Sequence, residues 1–326
     1  MTELQIVTAL TSPEQSPYPG LTPFSTELHS YFFGREVETR ILLANMFASR
    51  LTVVHGPSGV GKSSLINAGL MPVVNAQDDV LAVVYRHWSG NPTEQLQRAV
   101  RRRVAAAGGK VSGDDDLRAT CHAACDATDR YLMLVLDQFE EFFLYPSTGA
   151  PFDEALGEVL GDSSLPFRVL ISMREDSLAR LDRLEDHVPN PFDNVFRLEH
   201  LTRDGGKQAI VRPLDQHRHD TGSSVHIEDE LVDAVLEGVR AGRIMLSPGG
   251  GGVVQQQDGD RVEVAYLQLV MERLWTYETS RHSDLLRAAT LQQLGGVRRA
   301  VRSRFTELMD SLTLTEQDLA AKLFYF

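Results

Sequence analysis

The sequence predicts an α/β fold, a parallel sheet with helices on both faces, followed by a smaller all-α helical domain. Three observations predict it. Tyr131-Leu-Met-Leu-Val-Leu136 is almost continuously apolar, as a central parallel strand buried on both faces must be. Other short β-type runs, Leu51–His55, Val80–Tyr85, Phe167–Ser172 and Val195–Leu198, alternate with helical periodicity, and that alternation is the pattern of a parallel sheet. Beyond about residue 200 the helical period stands alone.

Each element follows in order. Residues 1–19 are polar and punctuated by Pro13, Pro17 and Pro19, so an extended arm is expected within 1–30. Ile41, Leu42, Met46 and Phe47 give residues 36–50 a helical stripe. The strand at Leu51 runs into glycine-rich sequence and then a helix over Ser63–Leu70. Residues 93–107 form a helix, with Arg101, Arg102 and Arg103 expected on its solvated face. Asp114-Asp115-Asp116 makes a turn and caps the next helix. The α/β domain is expected over 31–200 and the helical domain over 201–310, with helices at 203–211, 228–240, 263–280, 284–294 and 297–310. A flexible glycine- and glutamine-rich loop is expected at 247–260. Thr313-x-x-Glu316 reads as a capping box for a helix through Leu319, Leu323 and Phe324. That apolar face has only just begun, so 311–326 is expected to open a third domain, winged-helix-like or a sensor linker.

Composition narrows the function. A chain of 326 residues, 42% hydrophobic and 24% charged, carries enough apolar material for two cores. The 32 basic and 45 acidic side chains leave a net charge of −13, which argues against coating nucleic acid or an anionic membrane. Lysine is scarce: Lys62, Lys110, Lys207 and Lys322 are all there are. Cys121 and Cys125 read as two reduced thiols on a helix face. The N-terminus has no secretory pattern and no apolar run reaches membrane-spanning length, so a cytoplasmic location is expected.

One motif carries chemistry. Gly56-Pro57-Ser58-Gly59-Val60-Gly61-Lys62-Ser63 fits G-x-x-x-x-G-K-[ST], with a strand before it and a helix after it. The glycines let successive backbone N–H groups, through Ser64, point at one anion, and the helix N-terminus adds its dipole. Lys62 is expected on the β/γ-phosphates, and the Ser63 hydroxyl on Mg²⁺, a hard ion that prefers oxygen. The sheet is therefore a P-loop NTPase sheet. Asp137, at the end of the apolar strand, is the expected second metal ligand. Glu140 or Glu141 is placed to orient the attacking water. Arg174 follows the 167–172 strand at the same carboxyl edge, where it can feel the γ-phosphate. The extra strand at 80–85, between the P-loop and the Asp137 strand in sequence, is the layout of AAA and signal-transduction ATPases. No N-K-x-D motif occurs, so ATP is expected rather than GTP.

Four segments in order, Pro17-Tyr-Pro-Gly-Leu-Thr-Pro-Phe24, Phe32-Phe33-Gly34-Arg35-Glu36-Val37-Glu38, GPSGVGKSSLINAGL and LVLDQFEEFF, resemble the STAND signal-transduction ATPases, most closely the bacterial novel STAND NTPase domain. The resemblance covers roughly residues 17–280. It implies that Phe33, Gly34, Arg35 and Glu38 help enclose the adenine, that Glu140 rather than Glu141 is linked to hydrolysis, as in NACHT-type proteins, and that Arg174 occupies the sensor-1 position. It further implies a slow regulatory ATPase whose nucleotide state controls domain orientation and self-association, with a sensor or effector elsewhere, in bacterial signalling, cell death or defence. The family's Gly-x-Pro motif has no match in Val262–Gln268, and Arg212-Pro213-Leu214 supplies a proline earlier.

Two other classes fit a P-loop. An AAA-like motor or loader on DNA or protein needs a trans-acting arginine, for which Arg180, Arg183 and Arg203 are candidates, and a small-molecule kinase needs an arginine-rich lid. His217, His219 and His226 are expected in a solvated loop, and Leu267, Val270, Met271, Leu274 and Trp275 in a core stripe.

Overall fold

The computed structural model describes residues 16–111, 116–145, 151–188, 190–242, 260–310 and 313. The expectations for residues 1–15, Asp114 and Asp115, most of the 247–260 loop and the 311–326 helix lie outside the described residues. Two compact units make up the chain. One comprises Phe24–His29 and Arg35–Glu199; the other comprises residues up to Pro23, Ser30–Gly34 and the residues from His200 onward.

The first unit is an α/β sheet domain. Its strands are β1 (Leu51–Gly56), β2 (Val80–Tyr85), β3 (Tyr131–Leu136), β4 (Phe167–Arg174) and β5 (Val195–Arg197). They lie in the order β2-β3-β4-β1-β5, and every pairing is parallel. Parallel strands need long crossovers, and helices supply them. These are α1 (Glu36–Ala48), α2 (residues 62–75), α3 (Pro92–Ala106), α4 (Leu117–Thr128) and α5 (Phe152–Gly161). Leu132 to Leu136 are all fully or nearly buried, as a strand covered on both faces requires.

Local chemistry starts the helices. Asn91 caps α3 by accepting from the Glu94 N–H at 3.2 Å, with Pro92 pre-set at the first position. Asp116 caps α4 by accepting from the Ala119 N–H at 2.7 Å. Helix α2 outruns its expected end at Leu70 and carries a π-helical stretch over Leu65–Leu70. Pro72 has no N–H to offer the carbonyl one turn back, and a wider turn just before it accommodates that loss. The arginine triplet on α3 is not uniformly solvated. Arg103 donates from Nε to the Ala82 carbonyl of edge strand β2 at 3.1 Å, while Arg102 is exposed. Cys121 and Cys125 are buried in the core of this unit, and burial pushes both thiols up, Cys125 to about 11.

The second unit is mainly helical. It holds α6 (Arg203–Thr221), α7 (Asp229–Gly238), α8 (Val264–Thr279), α9 (Ala288–Gln293) and α10 (Gly296–Asp310). Two short strand pairs not expected from the sequence join it. Leu201–Thr202 pairs antiparallel with Arg261–Val262, and His226–Ile227 pairs parallel with Leu285–Leu286. The second pair displaces the start of the helix expected at 284. Leu267, Val270, Met271, Leu274 and Trp275 pack into its core.

Helix α6 is longer than the reading that stopped it at residue 211, because it runs straight through the buried Pro213. A proline inside a helix leaves the carbonyl four residues back, here Ala209, without its helical donor. The Tyr18 hydroxyl donates to the next carbonyl, Ile210, at 2.6 Å. Tyr18 is itself 1% exposed, so the N-terminal segment expected as an extended arm supplies a core residue to this unit. The histidine loop is corrected as well. His217 lies on α6, buried, with its ring 4.9 Å from Trp275 and edge to face.

Asp162, at the C-terminus of α5, joins separated pieces of the sheet unit. Its carboxylate accepts from the Ser164 hydroxyl at 2.6 Å, from Arg118 Nε at 2.7 Å and from His122 Nε2 at 2.7 Å. Those bonds, Ser164 first and then His122 and Arg118, hold its pKa well below the usual carboxylate range. A depressed folded pKa adds stability above the unfolded value, near about 4, and loses it as pH falls toward the folded value. Asp162→Asn should therefore lower the melting temperature at pH 7. The gap from the unmodified chain should narrow as melts are taken below about pH 4.

Candidate functional site

The site is built at the carboxyl edge of the sheet, from the ends of β1, β3 and β4. Register places Gly56 beside Arg174, and Leu136 beside Ile171. Three loops leaving adjacent strands thus open on one edge, where parallel α/β sheets bind ligands.

The first loop leaves β1. Gly56 has room only for a hydrogen side chain, because a Cβ there would stand 2.5 Å from the Leu198 carbonyl oxygen. Gly61 sits at φ +97°, a left-handed conformation that starts α2 directly behind it. Between them Pro57 is half-buried, Ser58 and Gly59 are exposed, and Val60 is fully buried as the anchor of the loop. Arg35, 4% exposed, braces this loop. Its guanidinium donates to the Val60 carbonyl at 3.0 Å and pairs with Glu38 at 2.7 Å.

Lys62 folds back over the loop, donating from Nζ to the carbonyls of Gly56 at 2.9 Å and Pro57 at 3.0 Å. Burial pushes its pKa down, and the charges of Glu140 and Asp137 oppose that. Ser63 and Ser64 are half-buried on the first turn of α2. The Ser64 hydroxyl accepts from the Phe24 N–H at 3.2 Å, which ties that short segment to the helix.

The second loop leaves β3. Asp137 is 1% exposed at the strand end. Gln138 takes a left-handed φ of +55° and turns the chain into a short 3₁₀ helix, Phe139–Phe143. Aromatic rings hold that turn. Trp88 packs edge-on against Tyr85 and Phe139, each at 4.9 Å, and its indole N–H donates to the Asp137 carbonyl at 2.9 Å. Phe139 stays buried while Glu140 comes back toward the sheet. Its carboxylate accepts from the Arg174 N–H at 3.1 Å, which joins the β3 and β4 loops. Burial raises the Glu140 pKa, against the pull of that N–H and of Lys62 and Arg174. Glu141 makes no such contact with the strand ends among the described residues. The Arg174 side chain pairs with Asp176 at 2.5 Å, both partners being half exposed.

Sequence reasoning missed Arg86, Asn67 and Trp88. Arg86 directly follows β2, and its Nε stands 3.1 Å from the Asp137 carboxylate. It also hydrogen-bonds to the Asn67 side chain on α2. The signal was present: a cation placed immediately after a strand that ends at the same edge as Asp137.

The donor set suits a hard cation. Asp137 Oδ2 is buried and lacks a hydrogen-bond partner of good geometry, though the Arg86 charge lies beside it. Such an oxygen, at the same sheet edge as the serine that opens the phosphate-loop helix, matches the all-oxygen preference of Mg²⁺. Phe33 and Gly34 belong to the helical unit. There the Arg212 guanidinium stacks 4.2 Å above the Phe33 ring, and Gly34 lies against the Gly205 carbonyl. Of the other candidate arginines, Arg180 is exposed, Arg183 lies 5.5 Å over the Phe143 ring, and Arg203 pairs with Asp233 at 2.7 Å.

Strand, loop and helix together define a P-loop nucleoside triphosphatase. The chain belongs to the novel STAND NTPase 1 family, whose model matches residues 17–325. It is a nucleotide-binding NTP hydrolase. Solved structures are similar at the level of fold. The Aeropyrum pernix ORC2 protein in its ADP form is 16% identical at a TM-score of 0.54, over 85% of this chain and 69% of that one. A Walker-type ATPase of Pyrococcus abyssi is 13% identical at 0.55, over 93% and 79%. Drosophila ORC bound to DNA is 13% identical at 0.52, over 97% and 70%. No curated protein matches the chain. No described helix is long and apolar enough to cross a membrane.

The two loop glycines fail differently when given a side chain. Gly61→Ala should cost about 1–2 kcal/mol through backbone torsion alone, since nothing lies within 4 Å of its Cβ position. Gly56→Ala must push a backbone carbonyl aside, and about 1–3 kcal/mol is expected. Urea unfolding of both variants measures the two costs, and only Gly56→Ala should also disturb the β1–β5 edge in hydrogen exchange.

Proposed function

We propose that this NTPase is a slow, ATP-dependent molecular switch, binding ATP with Mg²⁺ and using its nucleotide state to set domain orientation and self-association. The observation that carries the reading is the convergence of three strand ends. Lys62 follows β1, Asp137 and Glu140 follow β3, and Arg174 ends β4, with Lys62 close enough to feel the charge of all three.

The chain's residues divide the work by chemistry. Backbone N–H groups from Gly56 to Ser64 cradle the phosphates, and the Lys62 amine leaves its two carbonyls for the β/γ-phosphates. Ser63 and Asp137 hold Mg²⁺, which supplies charge neutralisation for phosphoryl transfer. Glu140, already turned toward the sheet by Arg174, orients the attacking water. Arg174 exchanges Asp176 for the γ-phosphate and so responds to its loss. Phe33, Gly34 and Arg35 take the adenine side of the site by the family pattern.

A switch draws its bias from differential contacts, and those to the γ-phosphate are the ones hydrolysis removes. The absence of an N-K-x-D motif supports ATP over GTP. The net charge of −13 supports a cytoplasmic protein partner, a sensor or effector segment, over nucleic acid. Drosophila ORC is solved on DNA, so DNA is the informative challenge. Steady ATPase activity strongly stimulated by DNA would replace the switch with a motor or loader. Slow turnover, indifferent to DNA and coupled to a change in oligomer size with nucleotide, supports the switch.

Three measurements test the roles. Lys62→Ala should abolish the rise in melting temperature on adding ATP, and an unchanged rise contradicts the P-loop role. Glu140→Gln should keep that rise while slowing hydrolysis by about 10²–10⁴-fold, with Glu141→Gln within a few-fold of the unmodified chain. Because burial raises the Glu140 pKa, its carboxylate is lost as pH falls through that raised value. The acid limb of kcat should therefore lie above the ordinary glutamate pKa of about 4.3, and it should vanish in Glu140→Gln.

A further inference from the structure

We infer that Arg86 is an internal cation that neutralises Asp137 before a metal binds, and that Mg²⁺ must displace it. The inference rests on the proposed metal role of Asp137. Arg86 follows edge strand β2, and β2 pairs with β3 so that Tyr85 lies beside Leu136. The Asp137 N–H continues that ladder, donating to the Tyr85 carbonyl at 2.9 Å. One residue further on in each strand, Arg86 and Asp137 come side by side with Nε 3.1 Å from Oδ2. Register alone produces the pair.

The pair is unequal. Asp137 is almost wholly buried, whereas Arg86 is 36% exposed. A carboxylate that deep is costly to ionise unless a cation lies beside it. Arg86 meets that need at the oxygen a metal would require. Its Nε approaches Oδ2 without good hydrogen-bond geometry, so charge holds it there and a divalent ion can outcompete it.

The other half of the guanidinium is tethered to the Asn67 side chain. Asn67 lies on α2, the helix that begins with Lys62 and Ser63, and its amide donates to the Phe24 carbonyl at 3.2 Å. Arg86 thereby bridges the phosphate-loop helix and the Asp137 strand. A departing guanidinium has room. A cavity of about 420 Å³ beside it is lined by Thr26, Asn67, Asn75, His87 and Arg103 among others. Arg103, the other cation in its lining, would disfavour Arg86 remaining there when no metal is present.

Mn²⁺ titrated into the ADP-saturated chain, followed by electron paramagnetic resonance, tests this. Arg86→Gln removes a charge that opposes the ion and should tighten Mn²⁺ binding roughly tenfold. Arg86→Lys keeps the charge and should stay near the unmodified value. Equal or weaker binding by Arg86→Gln overturns the inference. Asp137→Asn separates it from the reading beneath it. Weaker Mn²⁺ binding there, with no gain in Arg86→Gln, removes the competition but keeps the metal ligand. Unchanged binding in Asp137→Asn removes both. Arg86→Gln leaves a buried carboxylate unpaired and can fail to fold, so the unmodified chain gives a second measurement. With ¹⁵N-arginine, the Arg86 Nε–H resonance, assigned by its loss in Arg86→Lys, should move when Mg²⁺ is added to the ADP complex. A resonance that stays fixed at saturating Mg²⁺ overturns the displacement.

Discussion

An ionised carboxylate at the end of a fully buried strand is costly unless cations or hydrogen-bond donors answer it, and the candidate site is organised around that requirement. Asp137 is the case in point. The apolar run before it keeps β3 an interior strand, between β2 and β4, and carries the acid to the carboxyl edge with almost no solvent. Two positive groups answer it, Arg86 in contact and Lys62 through space. Arg86 follows β2, which pairs with β3, and Lys62 follows β1, on the far side of β4, so the electrostatics depend on the order β2-β3-β4-β1 and on its register.

Groups that touch no phosphate keep the edge rigid. The Val60 carbonyl is held by a buried arginine, the Asp137 carbonyl by an indole N–H, and the Glu140 carboxylate by a backbone N–H from β4. Each bond fixes a main-chain or side-chain oxygen before any ligand arrives. Rigid placement of this kind is what makes charge stabilisation effective in phosphoryl transfer, where positioning does most of the work. The aromatic packing of Trp88, Tyr85, Phe139 and Phe152 under the Asp137 turn serves the same end.

Much of this was legible in the sequence. The phosphate loop declares itself by spacing and context, and the near-unbroken apolar run before Asp137 announces a central strand. What stayed hidden depended on partners far away in sequence. Arg86 reads as an ordinary surface arginine until β2 is known to lie beside β3. Pro213 reads as a helix stop, because nothing local shows that this turn is packed in a core where Tyr18 bonds the Ile210 carbonyl. His217 reads as a loop residue for the same reason: once α6 continues, its ring lies against Trp275. The two-residue strands at Leu201 and His226 are too short to carry a period. In each case tertiary pairing overrode a correct local rule.

The Tyr18 bond also bears on how the chain folds as it is made. Tyr18 and its acceptor Ile210 are 192 residues apart. Apart from the short Phe24–His29 piece, the sheet unit is one continuous stretch, Arg35–Glu199, so its strands and crossovers leave the ribosome together and can assemble as they appear. The helical unit is discontinuous. Its earliest described core residue, Tyr18, emerges ahead of the sheet and waits, unpaired, while the whole intervening stretch is translated. Closing so long a loop carries an entropic cost that no local helix propensity offsets. The sheet unit should therefore form first on the growing chain, with the helical unit completed only once its later helices, through α10, are synthesised.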